Sequence, residues 1–271
     1  MNGDIEGALG HAIGDDAITL VFQPKLDLAS GRIVGVEALS RWSEADPSVF
    51  IPLAERSGLI GAITEKGIKA ATRQWRAWRD QGLRLDLAYN ISPVLLGDLD
   101  VPDRVEGWCR DAGMPPEHLT LELTEGATQH VLHLMDTLTR LRIKGIHTAI
   151  DDFGTGYSSL LQLRQLPFNE LKIDRWFVAD STRSPDSALI IRSIIDLAHG
   201  LGMSVTAEGV ASEAELDLLA RHGCDRVQGE LIAMPMPGKV PGPRPSVTLA
   251  IPSSSRLANT VSERRAVESG R

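Results

Sequence analysis

The sequence predicts an α/β fold, a modified (βα)8 TIM-like barrel with the first strand antiparallel to the second. Three observations predict it. Eight short β-rich runs are spread along the chain, and the longer stretches between them space their apolar residues at three and four, as amphipathic helices do. Only about ten residues separate the centres of the first two runs, too few for the crossover helix that parallel neighbours need.

In order, residues 1–15 supply a lead-in helix with Ile5, Leu9 and Ile13 at helical spacing. ITLVFQ (18–23) and RIVGVEAL (32–39) form the first pair of strands, and IGAITEKGIKAATRQWRAW then has a helical pattern. LDLAYNI (85–91), LTLELTE (119–125), HTAIDDF (147–153) and ELKID (170–174) supply the next four strands. SALIIRSIIDLAHGLG is again helical, and SVTAEGV (204–210) and RVQGELI (226–232) complete the eight. The barrel so drawn spans residues 16–237. Pro241, Pro243, Pro245, Pro252 and the run Ser253-Ser254-Ser255 mark residues 238–271 as a flexible tail.

With 271 residues, 42% hydrophobic and 24% charged, the chain is long enough to bury a substantial core. Its net charge of −8 argues against gripping DNA or RNA by non-specific phosphate neutralisation. No apolar stretch approaches the length of a membrane span, and residues 1–15 lack the basic start and apolar middle of a secretory signal, so the cytoplasm is the expected location. Cys109 and Cys224 belong to no CxxC and are expected to be reduced and structural.

Chemistry in such a barrel sits at the carboxyl ends of the strands. The polar residues there are Gln23, Glu37, Asn90, Glu122, Glu125, Asp151, Asp152, Lys172, Asp174, Glu208 and Gln228. Five carboxylates at one mouth (Glu37, Glu122, Asp151, Asp152, Glu208) repel one another and call for a cation. Carboxylates with an Asn amide oxygen suit hard ions, Mg2+ or Mn2+, and no histidine falls at a predicted carboxyl end to suggest zinc or iron. In ELKID, alternation turns Lys172 and Asp174 toward the barrel axis. They form either a structural pair or a site in which Lys172 contacts a phosphate or a metal-bound water. Glu122 and Glu125, three residues apart, cannot both face the cluster on a regular strand. Glu125 is instead placed to accept hydrogen bonds from the loop holding Thr155, Ser158 and Ser159.

The segments FQPKLDLASGRIVGVEALSRW, FIPLAERSGLI, YNIS, LELTE, AIDDFGTGYSSL, LKIDRWFV, AEGV and GCDRVQGELIAMPMP resemble, in order over roughly residues 5–237, the EAL family of cyclic di-GMP phosphodiesterases. The resemblance implies a (βα)8 barrel with one reversed strand. It implies two ions, one held by Glu37, Asn90, Glu122 and Asp151, the other by Asp151, Asp152 and Glu208. Lys172 would orient the nucleophilic water with Asp174 beside it, Arg41 would meet a substrate phosphate, and Gln23 and Gln228 would line the site. Glu125 would anchor the FGTG loop. The implied reaction is hydrolysis of cyclic di-GMP to linear pGpG, which lowers a bacterial second messenger, and the implied assembly is a homodimer.

The chain departs from the family pattern at three places: SEADPSV makes a short loop after Trp42, AEGVA lacks a second glutamate, and Glu230 stands where an aromatic residue is usual. Alternation would put Glu230 on the same side as Gln228. The competing reading is a catalytically silent cyclic di-GMP receptor that signals through a partner, although such members typically lose metal ligands and this sequence retains them. An unrelated barrel enzyme using Lys172 as a base would leave DDFGTGYSSL unexplained. No sensory or receiver domain is read before the barrel, so the regulating partner is unidentified.

Overall fold

The computed structural model describes residues 2–126, 131–154 and 160–238. The chain divides into two units, 1–241 and 242–271, and only the first contains described residues. The expected tail therefore lies outside them from residue 239 onward.

Eight strands close a barrel in sequence order: β1 (Thr19–Asp27), β2 (Arg32–Arg41), β3 (Asp86–Asn90), β4 (Leu119–Thr124), β5 (His147–Phe153), β6 (Glu170–Ile173), β7 (Ser204–Ala207) and β8 (Arg226–Val227). β1 is antiparallel to both its neighbours, with Gln23 opposite Glu37 and Leu26 opposite Val227. All other neighbours are parallel. The short first connection thus becomes a hairpin, and the reversed strand carries Gln23 to the level of Glu37 at the mouth.

The helices are α1 (Asn2–Gly14), α2 (Pro47–Arg56), α3 (Ile60–Asp80), α4 (Val101–Asp111), α5 (Val131–Ile143), α6 (Leu160–Gln165), α7 (Arg175–Asp180), α8 (Pro185–Gly200) and α9 (Glu213–Arg221). Their starts are written in the sequence. Asp46 caps α2 through the Ser48 N–H, Asp174 caps α7 through the Trp176 N–H, and Ser212 with Glu215 forms a reciprocal capping box on α9. α1 buries Leu9, Ala12 and Ile13 in a cluster with Trp42, Phe50 and Ile63. Between α3 and the barrel, Trp78 meets Phe22 edge to face at 4.9 Å, and the Trp75 indole donates to Leu85 O at 2.6 Å.

Several strand ends differ from the sequence reading. β1 continues through Pro24 to Asp27, four residues past Gln23. β6 stops at Ile173 because Asp174 turns to cap α7, and β7 stops at Ala207. β8 has only two residues, since Ile232 N and Ala233 N fold back onto Gly229 O in a turn. Glu230 is therefore placed by this turn, not by strand alternation, and is exposed.

Candidate metal centre and active site

The barrel mouth collects its carboxylates around one ammonium. Lys172, fully buried on β6, has its Nζ 2.6 Å from Glu208 Oε1, 2.7 Å from Glu122 Oε2, 3.0 Å from Asp151 Oδ2 and 3.5 Å from Glu37 Oε2. Glu37, Glu122 and Asp151 offer oxygens within 4.8 Å of one another, as do Asp151, Asp152 and Glu208. Asp151 belongs to both groups. Among the described residues these two groups hold no histidine or cysteine, and oxygen-only donors of this kind suit Mg2+ or Mn2+. Asn90 adjoins the first group. Its amide nitrogen donates to Glu37 Oε1 at 2.6 Å, which leaves Oδ1 as a further neutral oxygen donor. The residues present therefore fit two hard divalent ions.

How two adjacent residues both reach the mouth is a matter of backbone. Regular alternation would send Asp151 inward and Asp152 outward. The register of β5 against β6 slips between Ile150 and Phe153, and Asp152 takes φ +56°, the left-handed region that Asp tolerates better than most residues. The bulge brings the Asp152 carboxylate beside Asp151 and Glu208. Glu125, just past β4, accepts from the Gly154 N–H at 3.0 Å and so ties down the chain after Asp152. Gly154 itself has φ +100°, and a Cβ there would lie 2.6 Å from the Phe177 ring. Thr155, Ser158 and Ser159 lie outside the described residues.

Burial and like charge disturb the ionisation of this cluster. Burial, with Asp151 and Asp174 adding repulsion, pushes Asp152 up to about 6. Burial pushes Glu208 up to about 8 despite the nearby Lys172. Burial, then Glu122, also raises Glu37. Glu122 goes the other way: burial opposes its charge, but Lys172 and Lys25 together hold it at about 2. Burial disfavours the Lys172 ammonium as well, yet Asp151, Glu122, Glu208 and Glu37 keep it charged. A site with this much unbalanced negative charge is prepared for divalent cations.

The remaining expected residues flank the cluster. Gln228 donates to Glu37 Oε2 at 2.5 Å and to Gln23 Oε1 at 3.2 Å, while Gln23 donates to Ala233 O. Arg41 donates to Ser40 O and borders a 490 Å3 cavity with Asn90, Glu122 and Asp152. A second cavity, of 650 Å3, is lined by Gln23, Glu208, Gln228, Glu230, Arg175 and Trp176. Asp174 makes no ion pair with Lys172; it caps α7 and presses its carboxyl against Asp152. The simple structural pair is thus replaced by a lysine shared among four other carboxylates.

One participant escaped the sequence reading. Lys25 on β1, 4% exposed, lies 2.6 Å from Glu122 Oε1 and 3.4 Å from Glu170 Oε1. The signal was present: Lys25 follows Gln23 by two and so shares its face of the strand.

The EAL domain family model matches residues 6–235. The chain belongs to the EAL domain family. This EAL domain is 39% identical over 238 residues to MucR of Pseudomonas aeruginosa, a bifunctional diguanylate cyclase/cyclic di-GMP phosphodiesterase, with 85% of this chain and 35% of that protein covered. It is 42% identical over 245 residues to an uncharacterised protein of Azorhizobium caulinodans, covering 86% of this chain and 33% of that one. The chain spans about a third of the length of these curated relatives. Among solved structures, the MucR phosphodiesterase in complex with c-di-GMP matches with TM-score 0.79 and 38% identity, over 84% of this chain and 96% of that one. The EAL enzyme Bd1971 in its cAMP- and cyclic-di-GMP-bound form matches with TM-score 0.83 and 30% identity, over 88% and 67%. Among the described residues of this EAL domain, no helix is long and apolar enough to cross a membrane.

Proposed function

We propose that this EAL domain hydrolyses cyclic di-GMP to linear pGpG with two Mg2+ or Mn2+ ions held by Glu37, Asn90, Glu122, Asp151, Asp152 and Glu208. The observation that carries the reading is the pair of three-carboxylate groups sharing Asp151. The likeness to MucR and to its c-di-GMP complex supports the choice of substrate.

When bound, such ions supply charge neutralisation for the phosphodiester and a nucleophile at neutral pH. The chain supplies the rest. Lys172, touching Asp151 and Glu208, is the donor placed to hold the attacking water and the oxygen on which charge develops. Arg41, beside Asn90 and Asp152 along one cavity, offers its guanidinium to a phosphate. Gln228 Oε1 is the single buried side-chain polar atom without a partner among the described residues, an acceptor left for a ligand donor. Asp174 and Glu125 position Asp152, the one by direct contact and the other through Gly154.

The test is to incubate the purified chain with cyclic di-GMP and Mn2+ and follow pGpG by chromatography. Glu37→Gln removes a ligand charge at constant volume and should lower turnover by about 10² or more, with the melting temperature retained. Tight cyclic di-GMP binding without pGpG would overturn the enzyme in favour of a silent receptor.

A further inference from the structure

We infer that Lys25 sets how Glu122 holds an ion, and thereby which ion the mouth accepts. The inference rests on the two-ion reading above. Glu122, 1% exposed, has a different lysine on each of its two oxygens. Oε2 lies 2.7 Å from Lys172 Nζ, on the side of Asp151 and Glu208. Oε1 lies 2.6 Å from Lys25 Nζ, on the side of Glu170.

Lys25 is itself fixed. Its second partner, Glu170, is 4% exposed and is held by Thr206 Oγ1 and by Arg226 Nη1 at 3.4 Å. A rotation of Glu122 that turned both oxygens to the mouth would leave the Lys25 ammonium buried with only the more distant Glu170, a costly arrangement. Glu122 is therefore confined to one oxygen at the mouth. Mg2+ needs a tight octahedral shell and takes single carboxylate oxygens, whereas Ca2+ takes six to eight oxygens and commonly both from one carboxylate. The Lys25 contact thus favours Mg2+ or Mn2+ over Ca2+ by geometry, apart from any effect of its charge.

That distinction can be measured without substrate. Mg2+ and Ca2+ affinities are obtained by thermal-shift titration of the parent, Lys25→Met and Lys25→Arg. Loss of the ammonium changes the charge felt by both ions alike, so the ratio of Ca2+ to Mg2+ affinity isolates the geometry. In Lys25→Met this ratio should rise about tenfold or more, the scale on which groups behind metal ligands act. Lys25→Arg keeps a donor to Oε1 and should stay near the parent. The double variant Lys25→Met with Glu170→Gln removes both buried charges below Glu122 and leaves only the part-exposed Arg226 without its carboxylate, and it must show the same rise even where the single variant does not fold. A ratio within about twofold of the parent in either folded Met variant overturns the inference. A parent that binds neither ion overturns the two-ion reading itself.

Discussion

Asp152 combines two demands that normally fall on different residues. Its carboxylate joins Asp151 and Glu208, and its backbone occupies the left-handed region at φ +56°. Asparagine accepts that backbone but removes the charge, so Asp152→Asn should not lower folding stability while lowering Mn2+-dependent turnover at least tenfold. Valine accepts neither and should also cost about 1–3 kcal/mol in urea melts. Equal stability of the Asn and Val variants would show that the turn imposes no strain. The resemblance implied an ion shared at these adjacent acids, but nothing in it gave their conformation. Period-two alternation describes regular strands only, and nothing in the letters of AIDDFG gives the register slip between Ile150 and Phe153.

At the scale of elements, α3 lies so close to β3 that a Cβ on Gly67 would fall onto the Tyr89 hydroxyl. Tyr89 is 3% exposed and its hydroxyl bonds to Ser40 on β2, so the ring cannot step aside freely. Gly67→Ala should cost about 1–3 kcal/mol by denaturant melt; an unchanged midpoint would mean that the helix shifts without penalty. The link from β4 to the loop after β5 is polar instead. Glu125→Ala should release Gly154, lower kcat and raise the Mn2+ concentration needed for half-maximal activity, with partial rescue at high metal. Curves superimposable on the parent would remove Glu125 from that role. The strand order and the reversed β1 were readable because strand count and connection length are local properties of the chain. The ends of β6, β7 and β8 were less so, since VQGELI alternates like a strand although its Gly229 carbonyl closes a turn. Lys25 was hidden for the converse reason: Pro24, which lacks an N–H, makes a poor strand interior, and the reading stopped at Gln23.

For the whole molecule, the acidic mouth links stability to pH and to metal. The folded values of Asp152, about 6, and Glu208, about 8, lie above their ordinary values near 4. In the metal-free protein these groups therefore contribute stability fully below about pH 4, and it is lost as pH rises through 6 and then 8. Divalent ions require the ionised forms, so saturating Mg2+ should raise the melting temperature more at about pH 8.5 than at about pH 6. Equal gains at both values would contradict the buried-carboxylate account. The junction of β1 with the chain after β8 has a mechanical meaning. Phe22 and Met236 form an isolated antiparallel bridge, and Gly238 is held by hydrogen bonds from Gln74 and Trp78. Because the bridge is antiparallel, the segment before Phe22 and the segment after Met236 leave it from the same end. Tension applied across Thr19 and Gly238 would load the hydrogen bonds of this junction one after another, as in a zipper.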